Sequence, residues 1–195
     1  STEDKPSDFA FLDPRLLRTP GVAASECASM VNQMGALAQT SMDLVLTQFL
    51  QYTDAREEEI LSNEDKLDIY EDHLGSYLVQ ISQHGTSADD MHTISRLLHA
   101  IGDFERIGDH VLNLQESAKE LRDKQLRFSP TAQKEVEVLT RLLRDLMTAA
   151  LDCFRKDDPV AAQLVEPLEE TMDCLTEEVR NRHIHRLQNG QCTIQ

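Results

Sequence analysis

Apolar positions recur every three or four residues along most of this chain, with charged and amide side chains between them. Over residues 22–52 the stripe is Val31, Met34, Leu37, Met42, Val45, Leu46 and Phe49, the spacing of one helix face. A second helix is predicted over 54–83, with Ile60, Leu61, Leu67, Leu74, Leu78 and Ile81 inward. A third starts after Ser87 and carries Met91, Ile94, Leu97, Leu98, Ile101, Phe104 and Val111 on its buried stripe. The punctuation agrees. Thr19 before Pro20 reads as a helix start, because proline at the first helical position gives up only an amide that has no intrahelical partner. His84-Gly85 closes the second helix, since glycine takes the left-handed cap conformation at little cost.

Phe128-Ser129-Pro130 opens a second half, with helices predicted over 130–155 and 159–187. Asp157-Asp158-Pro159 separates them and Asn189-Gly190 ends the last. Residues 1–18, broken by Pro6 and Pro14, are predicted irregular. Their apolar side chains (Phe9, Phe11, Leu12, Leu16, Leu17) have no evident helical partner face.

The halves form a repeat. An ungapped shift of about 105 residues pairs Val31 with Val136, Met34 with Leu139, Met42 with Met147 and Phe49 with Phe154. The same shift pairs Glu64 with Glu169 and Asp68 with Asp173. It sets three expected segments: an irregular one at 1–19, a three-helix bundle at 20–127, and a second bundle at 128–195 with two helices. The third helix of the repeat would fall beyond Gln195. Helices over 130–155 and 159–187 would then expose a groove lined by Leu139, Leu142, Leu146, Val165, Met172 and Leu175. Large exposed apolar patches of this kind acquire a partner, and a homodimer is one way to cover it.

Composition narrows the class to all-α. Gly (7) and Pro (6) are scarce, whereas a sandwich or barrel needs a turn signal every ten or so residues. The formal charge of −16 repels phosphate backbones and anionic headgroups, which argues against direct binding of nucleic acid or bare membrane. It favours cations or a basic partner. Cys27, Cys153, Cys174 and Cys192 lack zinc-type spacing and read as small apolar residues in a reducing compartment. No apolar run is long enough to span a bilayer. The chain starts at Ser1 without Met, which reads as a piece of something longer.

The remaining chemistry lies in the carboxylates. Acids four apart on a helix stand side by side, but random placement of 35 acids in 195 residues already gives about six such pairs. Context carries more information. Glu64 and Asp68 flank the apolar stripe of the second helix, and Glu105 and Asp109 do so on the third. Packed side by side, these helices would converge four carboxylates on one patch, suited to Mg²⁺, Ca²⁺, Mn²⁺ or iron, with solvated acids as the alternative. Gly108 would permit close approach at the crossing, and Arg106 would offset charge. No histidine has Glu three residues before it, as a ferritin-type di-iron bundle requires. No HExxH or phosphate-binding glycine loop is present.

The run DFERIGDHVLN at 103–113 resembles the signature of the PhoU family of bacterial phosphate-uptake regulators. Glu64 to Asp68 is similar to the family's other acidic motif, and Glu169 to Asp173 to its repeat copy. The resemblance covers about 22–195. It implies tandem antiparallel three-helix bundles, no catalysis, and metal bound by paired acidic motifs. Glu64, Asp68, Glu105 and Asp109 would form one site, with Asp103 and Asp65 as lesser ligands. Glu169 and Asp173 would belong to a second, incomplete site. The cation would be iron, zinc, manganese or magnesium.

The stretches FLDPRLLRTP and HRLQNGQC resemble the cytoplasmic tail of bacterial sodium-dependent phosphate cotransporters. This implies a regulatory domain on the cytoplasmic face of the inner membrane, contacting the membrane domain of a phosphate transporter on the same full-length chain, and a signalling protein. The rival class is a metal-dependent hydrolase or oxidase built on the carboxylate patch. It would need an open coordination position and a placed acid or base, for which the sequence offers no dedicated residue.

Overall fold

The computed structural model describes Leu12 and residues 14–192. A 3-10 turn (Pro14–Arg18) leads into α1 (Pro20–Gln48), α2 (Asp54–Ser82), α3 (Ala88–Asp123), α4 (Pro130–Lys156), the single turn α5 (Pro159–Ala162) and α6 (Val165–Gln188). No strand occurs among the described residues, so the class is all-α.

Local chemistry sets the ends. Thr53 Oγ1 accepts from the Arg56 amide at 3.4 Å, and Ser129 Oγ from the Ala132 amide at 3.2 Å, each satisfying a donor the first helical turn leaves open. Ahead of α3, Ser87 Oγ accepts from the Asp90 amide while Asp90 Oδ2 accepts from the Ser87 amide, a reciprocal capping box. Gly85, with φ +66°, turns the chain after α2. Thr19 precedes α1 as expected but makes no side-chain cap. Its hydroxyl donates instead to the Leu16 carbonyl at 3.2 Å.

Four expectations need correction. The first helix stops at Gln48, short of residue 52, because Gln48 turns its amide onto the next helix start: its Nε2 donates to the Thr53 carbonyl and its Oε1 accepts from the Thr53 amide. Leu61 and Met91 are 47% and 42% exposed, so neither faces inward; both are neighbours of the buried stripe rather than members of it. The expected helix over 159–187 is interrupted by a turn at Gln163-Leu164. Residues 14–18 are not irregular: their 3-10 turn packs on α1, and Leu16 and Leu17 are half-buried. Phe9 and Phe11 lie outside the described residues.

The contacts divide the chain after Ala118, so the last residues of α3 belong with the second unit. In the first unit α1, α2 and α3 share one core. Met34, Ile60, Leu67, Leu74, Leu78, Ile81, Ile94 and Leu97 are fully buried there, each worth roughly 1.5–3 kcal/mol relative to exposure. Gln48 and Gln115 are also buried. Gln48 Nε2 donates to Gln115 Oε1 at 3.3 Å, and Gln115 Nε2 to the Tyr52 hydroxyl at 2.9 Å. With the bonds to Thr53, this ties all three helices at one end, and fully satisfied buried networks of this sort fix register.

The second unit is thinner. α4 and α6 pack against each other, yet α6 has no fully buried residue, and α4 buries only Glu135, Thr140 and Leu151. Leu139, Leu142, Leu146, Val165, Met172 and Leu175, the expected groove, are all half-buried.

Candidate functional site

Both acidic pairs lie on helices of the first unit. Glu64 and Asp68 occupy the middle of α2; Glu105 and Asp109 occupy the middle of α3. Where α2 and α3 meet, Gly108 is buried against Leu67: a Cβ on Gly108 would stand 3.0 Å from Leu67 Cδ1. The glycine is therefore a close-approach position, and its missing side chain lets the flanking acids of the two helices come within range of one another.

The electrostatics record that convergence. The Glu64 carboxyl is held above its ordinary value by partial burial first, then by the charges of Asp68, Asp65, Asp109 and Glu105. Glu105 is raised in the same way, by burial first and then by Asp109, Glu71 and Asp68, with Arg106 acting against them. Each carboxyl thus senses acids of the other helix. Like charges brought together disfavour ionisation, and a cation placed among them would relieve that repulsion.

Glu71 completes the α2 row and was not singled out from the sequence. The signal was available: it follows Asp68 by three residues and Glu64 by seven, so all three share one face. Asp65 joins the patch only as a neighbour of Glu64. Asp103 faces elsewhere, exposed and 3.7 Å from Arg106 in a surface ion pair. Glu169 and Asp173 are both exposed on α6 in the other unit.

The donor set fits a hard cation in chemistry, being oxygen-rich and net negative. It is not a closed cage. Among the described residues, no three His, Cys, Asp or Glu side chains are gathered closely enough to hold an ion. Asp68 and Asp109 are exposed, and Glu64 and Glu105 half-buried, so all four can swing on rotatable stems.

Residues 31–118 match the PhoU domain. The matched segment ends where the contacts end the first unit, and it contains Glu64, Asp68, Glu71, Glu105 and Asp109. No curated protein and no solved structure matches the chain. The PhoU match points to a regulatory role in phosphate homeostasis, in a family that is generally non-catalytic. Among the described residues, no helix is long and apolar enough to cross a membrane.

Proposed function

We infer that this chain is a PhoU-like regulatory module of phosphate transport that binds a metal cation through Glu64, Asp68, Glu105 and Asp109, with Glu71 beside them. The observation that carries the reading is the close approach of α2 and α3 at Leu67 and Gly108, inside the segment that matches PhoU. Glu64 and Glu105 are held there above their ordinary values, by burial first and then by acids of both helices. A divalent or trivalent ion (iron, zinc, manganese or magnesium) supplies positive charge to this patch when bound. The chain's own part is to hold α2 and α3 close at Gly108, to present carboxylates from both, and to let them rotate inward. Asp103 and Asp65 sit at the margin, and Glu169 with Asp173 would make only a partial second site.

A regulator needs a partner surface. The acidic first unit disfavours an anionic bilayer and suits a basic protein face. The proposed contact, which the resemblance to the cotransporter tail implies and this charge permits, is with the membrane domain of a phosphate transporter on the same full-length chain, at the cytoplasmic face of the inner membrane, and with a signalling protein in turn. A hydrolase or oxidase built on the same patch has no dedicated acid, base or nucleophile in its favour.

The test is elemental analysis of protein purified without chelators or an affinity metal column, and again after dialysis against each cation. Wild type should retain metal, and the variant Glu64→Gln/Asp68→Asn/Glu105→Gln/Asp109→Asn should lose it while keeping its helicity. Equal metal content in both, or none taken up by wild type at millimolar concentration, refutes the site. Flotation with anionic liposomes checks the partner: the domain should stay unbound without a transporter.

A further inference from the structure

The second unit contains a cavity of about 560 Å³ that the regulatory reading does not use. That is within the range that accepts small organic ligands. Its wall is apolar, formed by Leu121, Leu126, Phe128, Ala132, Val136 and Val179. Two helix ends build the rim. After α3, Gln125 takes φ 54°; its amide donates to the Arg122 carbonyl and the Leu126 amide to the Leu121 carbonyl. After α6, Gly190 takes φ 65°; its amide donates to the Leu187 carbonyl and the Gln191 amide to the Arg186 carbonyl. Both are Schellman caps, so both sets of terminal carbonyls are partly satisfied. The second folds Cys192 back over α6, where its Sγ lies 3.9 Å from His183 Nδ1.

Arg127, His183 and Arg186 also line the cavity, against one acid, Glu135. Glu135 is already committed to Arg186, accepting from both guanidinium Nη atoms at 2.8 and 2.7 Å. Arg127 and His183 therefore leave the pocket with donors in excess. The charge of the chain sharpens this. Lys119–Gln195 has 14 acids and 12 Lys plus Arg, against 21 and 7 in Ser1–Ala118, so the cationic residues of a strongly acidic chain are concentrated in the unit that holds the cavity. The first turn of α4, with Ser129 and Ala132 on the wall, adds the positive end of a helix dipole.

We propose that this cavity binds a small amphipathic organic anion, its apolar body against Leu121, Leu126, Phe128 and Val136, and its head group on Arg127 and His183. Apolar burial supplies affinity and the basic lining residues supply orientation and select charge. Cys192, on the cavity wall, reports occupancy.

The experiment uses the chain as it stands, with decanoate below its micellar concentration as the probe. Alkylation of Cys192 by N-ethylmaleimide is followed by peptide mass spectrometry, with exposed Cys174, which is not on the cavity wall, as internal control. Decanoate should slow Cys192 labelling several-fold and leave Cys174 unchanged. Decanol, which keeps only the apolar body, should protect about tenfold more weakly, and inorganic phosphate, which lacks it, should not protect. Arg127→Gln with His183→Gln, both at exposed positions, should weaken decanoate protection about tenfold, the loss expected for a charge-assisted contact. The proposal is overturned by absence of protection, by equal protection with decanol or phosphate, or by full protection in the double variant. Folding of that variant is checked by its helical circular dichroism. If it unfolds, the decanoate-against-decanol comparison on wild type decides between binding and its absence.

Discussion

Leu67 and Gly108 are in contact across the α2–α3 crossing, and a methyl group on Gly108 would lie 3.0 Å from Leu67 Cδ1. Leu67 is 1% exposed, so it has no solvent to retreat into. Glycine in a helix costs about 1 kcal/mol relative to alanine. Here that cost is the condition for bringing the acids of α2 and α3 within range of one another.

A pair of substitutions on one helix tests this. Gly102, also on α3, has nothing within 4 Å of an added Cβ. Gly102→Ala should therefore stabilise the protein by about 0.5–1 kcal/mol. Gly108→Ala gains the same helix propensity but overpacks the crossing, a cost of about 1–3 kcal/mol, and should be net destabilising. Urea denaturation of both variants gives the comparison; a gain at Gly108 equal to that at Gly102 would contradict the close approach.

The acidic patch has a pH signature. Glu64 and Glu105 are raised above their ordinary 4.5 in the folded protein, by burial first and by neighbouring acids second. Their contribution is fully present below the unfolded value and is lost as pH rises through the raised one. Without metal, Glu64→Gln and Glu105→Gln should each stabilise the protein at pH 7 by roughly a few tenths of a kcal/mol per relieved like-charge pair, read as a higher melting temperature. The gain should vanish near pH 4. Thermal melts at the two pH values, with and without added cation, also check the metal site: wild type should gain from the cation and the amide variants should not.

Glu135 and Arg186 give the opposite sign. Both are largely buried, at 9% and 12% side-chain exposure. The Glu135 carboxyl is held below its ordinary 4.5, first by its hydrogen bonds from Arg186. Its contribution is therefore present at neutral pH and fades as pH falls below 4.5 through the lowered value. Arg186→Met should cost about 1.5–3 kcal/mol at pH 7, the range for a charged hydrogen bond. The deficit should shrink under acid. An equal deficit at pH 7 and pH 3 would mean that packing, rather than the ion pair, dominates.

The thiols should separate by burial. Cys27 is fully buried, and desolvation first, with the Glu26 charge second, pushes it up to about 12. Cys174 is exposed. At pH 8, iodoacetamide should modify Cys174 readily and reach Cys27 only when the first unit opens, so its labelling rate should rise steeply with urea. Labelling of Cys27 as fast as Cys174 in native buffer would refute the placement.

Several features were legible in the sequence because they depend on neighbours a few residues apart. The helix starts at Pro20, Asp54 and Pro130, the glycine stop at Gly85, and the buried stripe from Val31 to Val111 all follow from capping chemistry and a period of 3.6 residues. So does the row containing Glu64 and Asp68, and Glu71 could have been read from the same period. Other features depended on packing between distant segments. Periodicity placed Leu61 and Met91 on the inward stripe, because it could not set the angular width of the buried face, which the neighbouring helices decide. No local rule shortens α1 at Gln48; its amide is drawn to Thr53 and Gln115, the latter 67 residues away. The pairing of Glu135 with Arg186, 51 residues apart, has no signal in either stretch alone. The turn of Cys192 onto His183 also required the observed cap at Gly190. Short-range periodicity fixes which faces are apolar and where helices end. Which faces meet, and which charges are thereby stripped of water, is settled by packing.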